Sequence, residues 1–138
     1  MIQNENTILT PIAPGELIDK ITVLKIKSER IEGDQKMANI NHELVLLEKT
    51  RDEHFPKNEE FLERISELEA ALKKANGEIW DMGEKIRELG DKNNFGSDFI
   101  EVAYGIHMAN DRRAVIKKDI NLLLGSSIIE EKSYKDWK

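Results

Sequence analysis

A chain of 138 residues is one domain by length and can bury its own core. With 39% hydrophobic and 35% charged residues, 3 prolines and 8 glycines, it has the balance of a well-solvated helical protein rather than a β-sandwich. A net charge of −6 argues against a general nucleic-acid binder, which needs a positive field, and the absence of cysteine excludes disulfides, thiolate metal sites and cysteine catalysis.

No stretch approaches the ~18 consecutive apolar residues of a membrane span. The opening MIQNENTILTPIAPGEL has neither a basic flank nor a continuous apolar run. A cytoplasmic protein without a targeting segment or membrane contact is the expectation.

Residues 1–13 read as an extended arm, because Pro11 and Pro14 keep a helix from running through it. Ile8, Leu9 and Ile12 make that arm apolar enough to dock. A first helix is predicted over 14–31, with Pro14 in its opening turn and Leu17, Ile18, Ile21, Leu24, Ser28 and Ile31 as its stripe. Gly33 and Asp34 form the break. A second helix covers 34–55 with Met37, Ile40, Leu44 and Leu47 on one face, and Pro56 stops it.

The third helix, 58–89, carries the strongest signal in the chain. Phe61, Ile65, Leu68, Leu72, Ala75, Ile79, Met82, Ile86 and Leu89 follow one another in alternating steps of four and three. That is a coiled-coil-like seam held for four heptads. Asn58 is placed as its N-cap, Glu59 and Glu60 suit the positive end of its dipole, and Gly90 is placed as its end.

Residues 90–97 form a loop, and Ser97 is expected to cap a fourth helix over 97–124 that Gly125 closes. The tail, 126–138, is expected to fold back partly, as one helical turn. The short loops make neighbours antiparallel. The fold class that follows is all-α: an antiparallel four-helix bundle, residues 14–125, with a long central hairpin of helices three and four. Helix three outruns helices one and two. The hairpin 79–106 should therefore leave Met82, Ile86, Leu89, Phe99 and Val102 uncovered by them and form a homodimer through that seam, or hold another protein partner.

Two polar patches interrupt the long helices. In the fourth, the stripe of Phe99, Ala103 and Ile106 continues as Asn110, Arg113 and Lys117 before returning to Ile120. In the third, Asn76, Gly77, Glu78, Trp80 and Asp81 stand at the same level across the hairpin. Arg113 should meet Glu78 or Asp81 there as a low-dielectric ion pair, which chains keep for register or for a ligand. A small anionic or polar ligand held by Asn110, Arg113 and Lys117, beside Asn76, Glu78 and Asp81 and with Trp80 as a flat wall, is the functional reading. A fixed register alone is the other.

A second pattern is linear. Glu59-Glu60-Phe61-Leu62-Glu63 is EExxE, and Glu78-Ile79-Trp80-Asp81 is ExxD. It resembles the metal-binding pattern of the all-α MazG-like nucleotide pyrophosphohydrolases. That resemblance implies Mg2+ held by Glu59, Glu60, Glu63, Glu78 and Asp81 on a nucleoside triphosphate, with hard oxygen ligands suited to the ion. It requires a turn near Asn76-Gly77 or two subunits, because on an unbroken helix Glu63 and Glu78 are about 22 Å apart.

Asp91-Lys92-Asn93-Asn94-Phe95-Gly96 starts like a calcium loop but has Phe95 at its fifth position and Val102 at its twelfth. His42, His54 and His107 lack ligand spacing, and only His107 falls near the polar patch. Arg112, Arg113, Lys117 and Lys118 form a basic cluster suited to the C-terminal half of a helix.

The segments PGELIDKITVLKIKSERI, NINHELVLLEK, NGEIWDMGEKIRELG, NFGSDFIEVAYGIHMANDRRAVIKKDIN and SSIIEEKSY together resemble a widespread uncharacterised family of short helical proteins of bacteria and phages. The resemblance implies a stand-alone helical domain and carries no mechanism. The reading is a helical binding or assembly protein without catalytic residues and without a cofactor.

Overall fold

The computed structural model describes residues 6–135. Among them are four helices: α1 Pro14–Arg30, α2 Asp34–His54, α3 Glu59–Asp91 and α4 Ser97–Leu123. Each begins and ends within two residues of its expected span.

The boundaries have local causes. Pro14 opens α1, where its missing N–H would have been unpaired anyway. Gly33 takes a φ of 116°, which a side chain would resist, and turns the chain into α2. The Asn58 side-chain oxygen accepts the Phe61 N–H at 2.8 Å and caps α3 as expected. Gly90, however, does not end α3, which runs on to Asp91. The stop is at Asn93, whose φ of 54° is a left-handed value that asparagine tolerates. The Asn94 N–H then closes on the Leu89 carbonyl at 2.8 Å. Nor does Ser97 cap α4: Gly96 holds that position, without a side-chain cap, and Ser97 is already helical. Gly125, at φ 65°, closes α4.

The core sits where the four helices meet. Leu17, Ile18 and Ile21 of α1 pack with Ile65, Leu68 and Leu72 of α3, with Phe55 after α2 and with Ile120 of α4. Phe55 and Phe61 meet edge to face at 6.4 Å. α3 and α4 pack along each other, and α1 packs against all three other helices. α2 runs beside α1 and reaches α3 through Glu69, whose carboxylate takes Arg51 at 3.2 Å and Lys25 at 2.7 Å.

The overhang exists. Arg30, at the end of α1, pairs with Asp81, and α3 continues to Asp91 with α4 alone beside it. Its seam is not left open, because α4 covers it. Val102 is buried, while Met82, Ile86, Leu89 and Phe99 are half-buried. Gly105 of α4 lies against the Met82 sulfur, and Gly90 lies against the Phe95 and Phe99 rings. The exposed apolar residues of the hairpin are others: Phe95, Ile100 and Tyr104.

Beyond Gly125 the described residues form no helical turn. The segment turns back over α4 all the same, with the Ser126 N–H on the Asn121 carbonyl and Glu130 3.9 Å from Lys117. Trp137 and the first five residues of the predicted arm lie outside the described residues. Among the described residues, no helix is long and apolar enough to cross a membrane.

Candidate functional site

The polar residues of α4 converge on a side chain that the apolar stripes passed over. Asp19 of α1 lies buried at the junction of α1, α3 and α4, with its side chain 4% exposed. Arg113 grips it with two nitrogens, Nε on Oδ1 at 2.9 Å and Nη2 on Oδ2. That two-pronged geometry is the strong form of a charge-assisted hydrogen bond. Asn76 of α3 donates from Nδ2 to both Asp19 Oδ1 and the Thr22 hydroxyl, each at 2.9 Å. Thr22 in turn donates to the Asp19 backbone carbonyl at 2.8 Å. A third prong of Arg113 reaches Asn110 Oδ1 at 3.3 Å.

One turn further, Lys117 donates to Glu16 at 2.7 Å, and Asn121 Oδ1 accepts the Gly15 N–H at 2.7 Å. That bond satisfies one of the orphan donors at the start of α1 from outside the helix. The approach depends on glycine. A Cβ at Gly15 would stand 2.5 Å from the Lys117 carbonyl oxygen. Among the described residues, no buried side-chain polar atom lacks a hydrogen-bond partner.

Burial disfavours a charge on Asp19. The hydrogen bonds from Arg113 and Asn76, with the charges of Arg113 and Lys117, outweigh it and hold the carboxyl below its ordinary range. The bond to Asp19 raises Arg113 in turn, against its own burial. At the surface, the Lys132 hydrogen bond and the Lys117 charge pull Glu130 down, and Glu130 raises Lys132.

The predicted ligand residues divide between two cavities. Asn110, Arg113 and Lys117 line a space of about 650 Å³ under the C-terminal segment, together with His107, Lys132 and Tyr134. Asn76 and Trp80 line another, of about 600 Å³, with Val23, Ile26 and Gly83. Arg113 borders both. Trp80 is therefore not a wall of the cationic cavity, and its ring N–H is held by Glu84 at 2.6 Å.

Glu78 and Asp81 do not hold Arg113. Glu78 pairs with Arg112 at 2.9 Å, and Asp81 with Arg30. The two expected partners face outward, while Asp19 fills the interior.

α3 is continuous through Asn76-Gly77. About 22 Å of helix therefore separates Glu63 from Glu78, too far for one ion within a single chain. Among the described residues, no group of three or more His, Asp or Glu side chains is arranged to hold a metal.

Asp19, Thr22, Glu16 and Glu130 were absent from the sequence-derived set. A signal for the first two existed. Gly15, Asp19, Thr22 and Ile26 are all buried and follow in steps of four, three and four. That is a second inward stripe on α1, masked by the more hydrophobic one beside it.

Fold and site define a small all-helical protein with a buried ion-pair network at the junction of α1, α3 and α4. The chain belongs to DUF6165, a family of unknown function, whose family model matches residues 9–137. Searches of curated proteins and of solved structures return no match.

Proposed function

We propose that the protein is a non-enzymatic binding module that takes a small anion, carboxylate or phosphate, in the cavity between α4 and the C-terminal segment. One observation carries this reading. Arg113, Lys117, Lys132 and Lys135 border one space with two acids, Asp111 and Glu130, on a chain whose net charge is −6. Arg113 and Lys117 are paired from behind by Asp19 and Glu16, and a recessed cluster of cations suits a small ligand better than a long polyanion.

The network behind the cavity supports it as a built site. Asp19 takes Nε and Nη2 of Arg113 and Asn110 takes Nη1, so the guanidinium is fixed and an anion would meet it at the remaining N–H groups of Nη1 and Nη2. Lys117 is nearly buried and already paired with Glu16 at 2.7 Å, so a ligand anion would share it with that carboxylate. Glu130 already stands on that lysine's outer side, and a ligand anion would take its place.

The test is a thermal melt against phosphate, pyrophosphate, nucleoside triphosphates and short dicarboxylates, with and without magnesium and with chloride at equal ionic strength. An anion at a hundred times its dissociation constant adds about 2.7 kcal/mol, several degrees for this size. Glu130→Gln should enlarge the shift, because it removes the more distant of the two carboxylates on Lys117, and Lys117→Met should abolish it. If no anion beyond chloride moves the transition at millimolar concentration, the cavity is not a binding site. Release of pyrophosphate with magnesium would point to catalysis instead.

A further inference from the structure

The cavity of about 600 Å³ on the other side of Arg113 opens between the C-terminal half of α1, the middle of α3 and α4. Val23 and Ile26 wall it from α1, Ile79 and Trp80 from α3, and Ile106 from α4. It has the volume of a small-molecule site, and the space between bundle helices is where such sites often lie. With the anion cavity it shares only Arg113, so it stands or falls independently of that reading.

Two features mark it as more than a packing gap. The first is Asn76, which is 7% exposed. Both hydrogens of its amide nitrogen are held, by Asp19 and by Thr22, which fixes the orientation of the amide. Its Oδ1 accepts no hydrogen bond among the described residues, yet no fully buried side-chain polar atom there lacks a partner. That oxygen therefore reaches accessible space, and the space that Asn76 lines is this cavity. A fixed acceptor in an apolar pocket is a group with a place for a donor.

The second is Gly83, in the interior of α3, where glycine weakens a helix. Packing does not demand it, as it does at Gly15. An added Cβ at Gly83 would meet only the end of the Arg87 side chain, at 3.2 Å. What glycine does there is leave the cavity one side chain wider.

The charges of the lining balance. Arg113 is neutralised by Asp19, and of the other two Glu84 is negative and Arg87 positive. An uncharged ligand suits such a lining. The Trp80 ring, fixed by its N–H on Glu84 at 2.6 Å, offers a flat partner for an aromatic one. We propose that this cavity is a second binding site, for a small uncharged aromatic molecule that donates a hydrogen bond to Asn76 Oδ1 and packs against Trp80.

The test is a titration of the full chain carrying Trp137→Phe, which leaves Trp80 as its one tryptophan, with the Trp80 ring N–H followed by NMR. Indole and phenol are the probes, and 1-methylindole and anisole are their counterparts without the donor. Indole or phenol at millimolar concentration should move the Trp80 signal saturably. The methylated counterparts should bind about tenfold more weakly, the loss expected when a buried acceptor is left without its donor. Gly83→Leu fills the cavity with a better helix former, so it should keep its helical circular dichroism and lose the response. The comparison of probes needs no change to the cavity and decides the Asn76 contact by itself. No saturable shift with either probe would overturn the proposal. So would a shift that survives Gly83→Leu, which puts the probe elsewhere, or equal binding of the methylated probes, which leaves Asn76 without a part.

Discussion

Asp19 is the residue on which the polar junction of α1, α3 and α4 depends. Removing Arg113 as alanine leaves a carboxylate with little access to water, so Arg113→Ala should destabilise the fold by about 3 kcal/mol. Arg113 is itself one-third exposed, which keeps the loss near the lower end for a buried pair. Urea denaturation of the two proteins at neutral pH measures it.

Acid sensitivity follows from the same group. The Asp19 carboxyl titrates below its unfolded value of about 3.9, so the folded state binds that proton more weakly. Its contribution to stability is present above about pH 4 and fades as pH falls through the folded-state value. The wild type should lose stability relative to Asp19→Asn across that window and not above it; equal acid limbs in the two melts would contradict this. Asp19 was hard to read from sequence because a single acid between Ile18 and Lys20 looks like a solvated position. Only its spacing with Gly15, Thr22 and Ile26 places it inward.

At the scale of the helices, what is local was legible and what is relational was not. The heptad seam, Asn58 and Gly33 are written in neighbouring residues, and they delivered α3 unbroken with its start in place. The choice between Glu78, Asp81 and Asp19 as the partner of Arg113 depends on how far α1 rotates between α3 and α4, which no single helix encodes. The same holds at Gly90: a glycine is a permitted stop, but packing of Gly90 against Phe95 and Phe99 lets the helix continue to Asp91.

Two glycines make the relational term measurable. Gly15→Ala drives a methyl into the backbone of α4 and should cost about 1–3 kcal/mol, as overpacking does. At Gly105 an added methyl would stand 2.8 Å from the Met82 sulfur, the mobile end of a side chain. Gly105→Ala should be far milder, with the helix propensity of alanine partly offsetting the shift. Chemical denaturation of both variants separates the two cases.

Over the whole molecule, the arrangement joins a conventional core to a polar junction directly beneath the C-terminal segment. Fold class and helix order could be read from periodicity. The cationic cavity could be read only in part: Asn110, Arg113 and Lys117 stood out as breaks in an apolar stripe, but Glu130, Lys132 and Lys135 lie in a segment with no periodic pattern to place it. Its return over α4 is a tertiary event.

The most direct measurement of the proposed function is a pyrophosphate titration followed residue by residue in the amide NMR spectrum. Saturable shifts centred on Asn110, Arg113 and Lys117 and on residues 130–135 are expected, with amides near Glu59 and Glu63 unmoved. Shifts confined to other parts of the chain, or none at millimolar pyrophosphate, would contradict the proposed site.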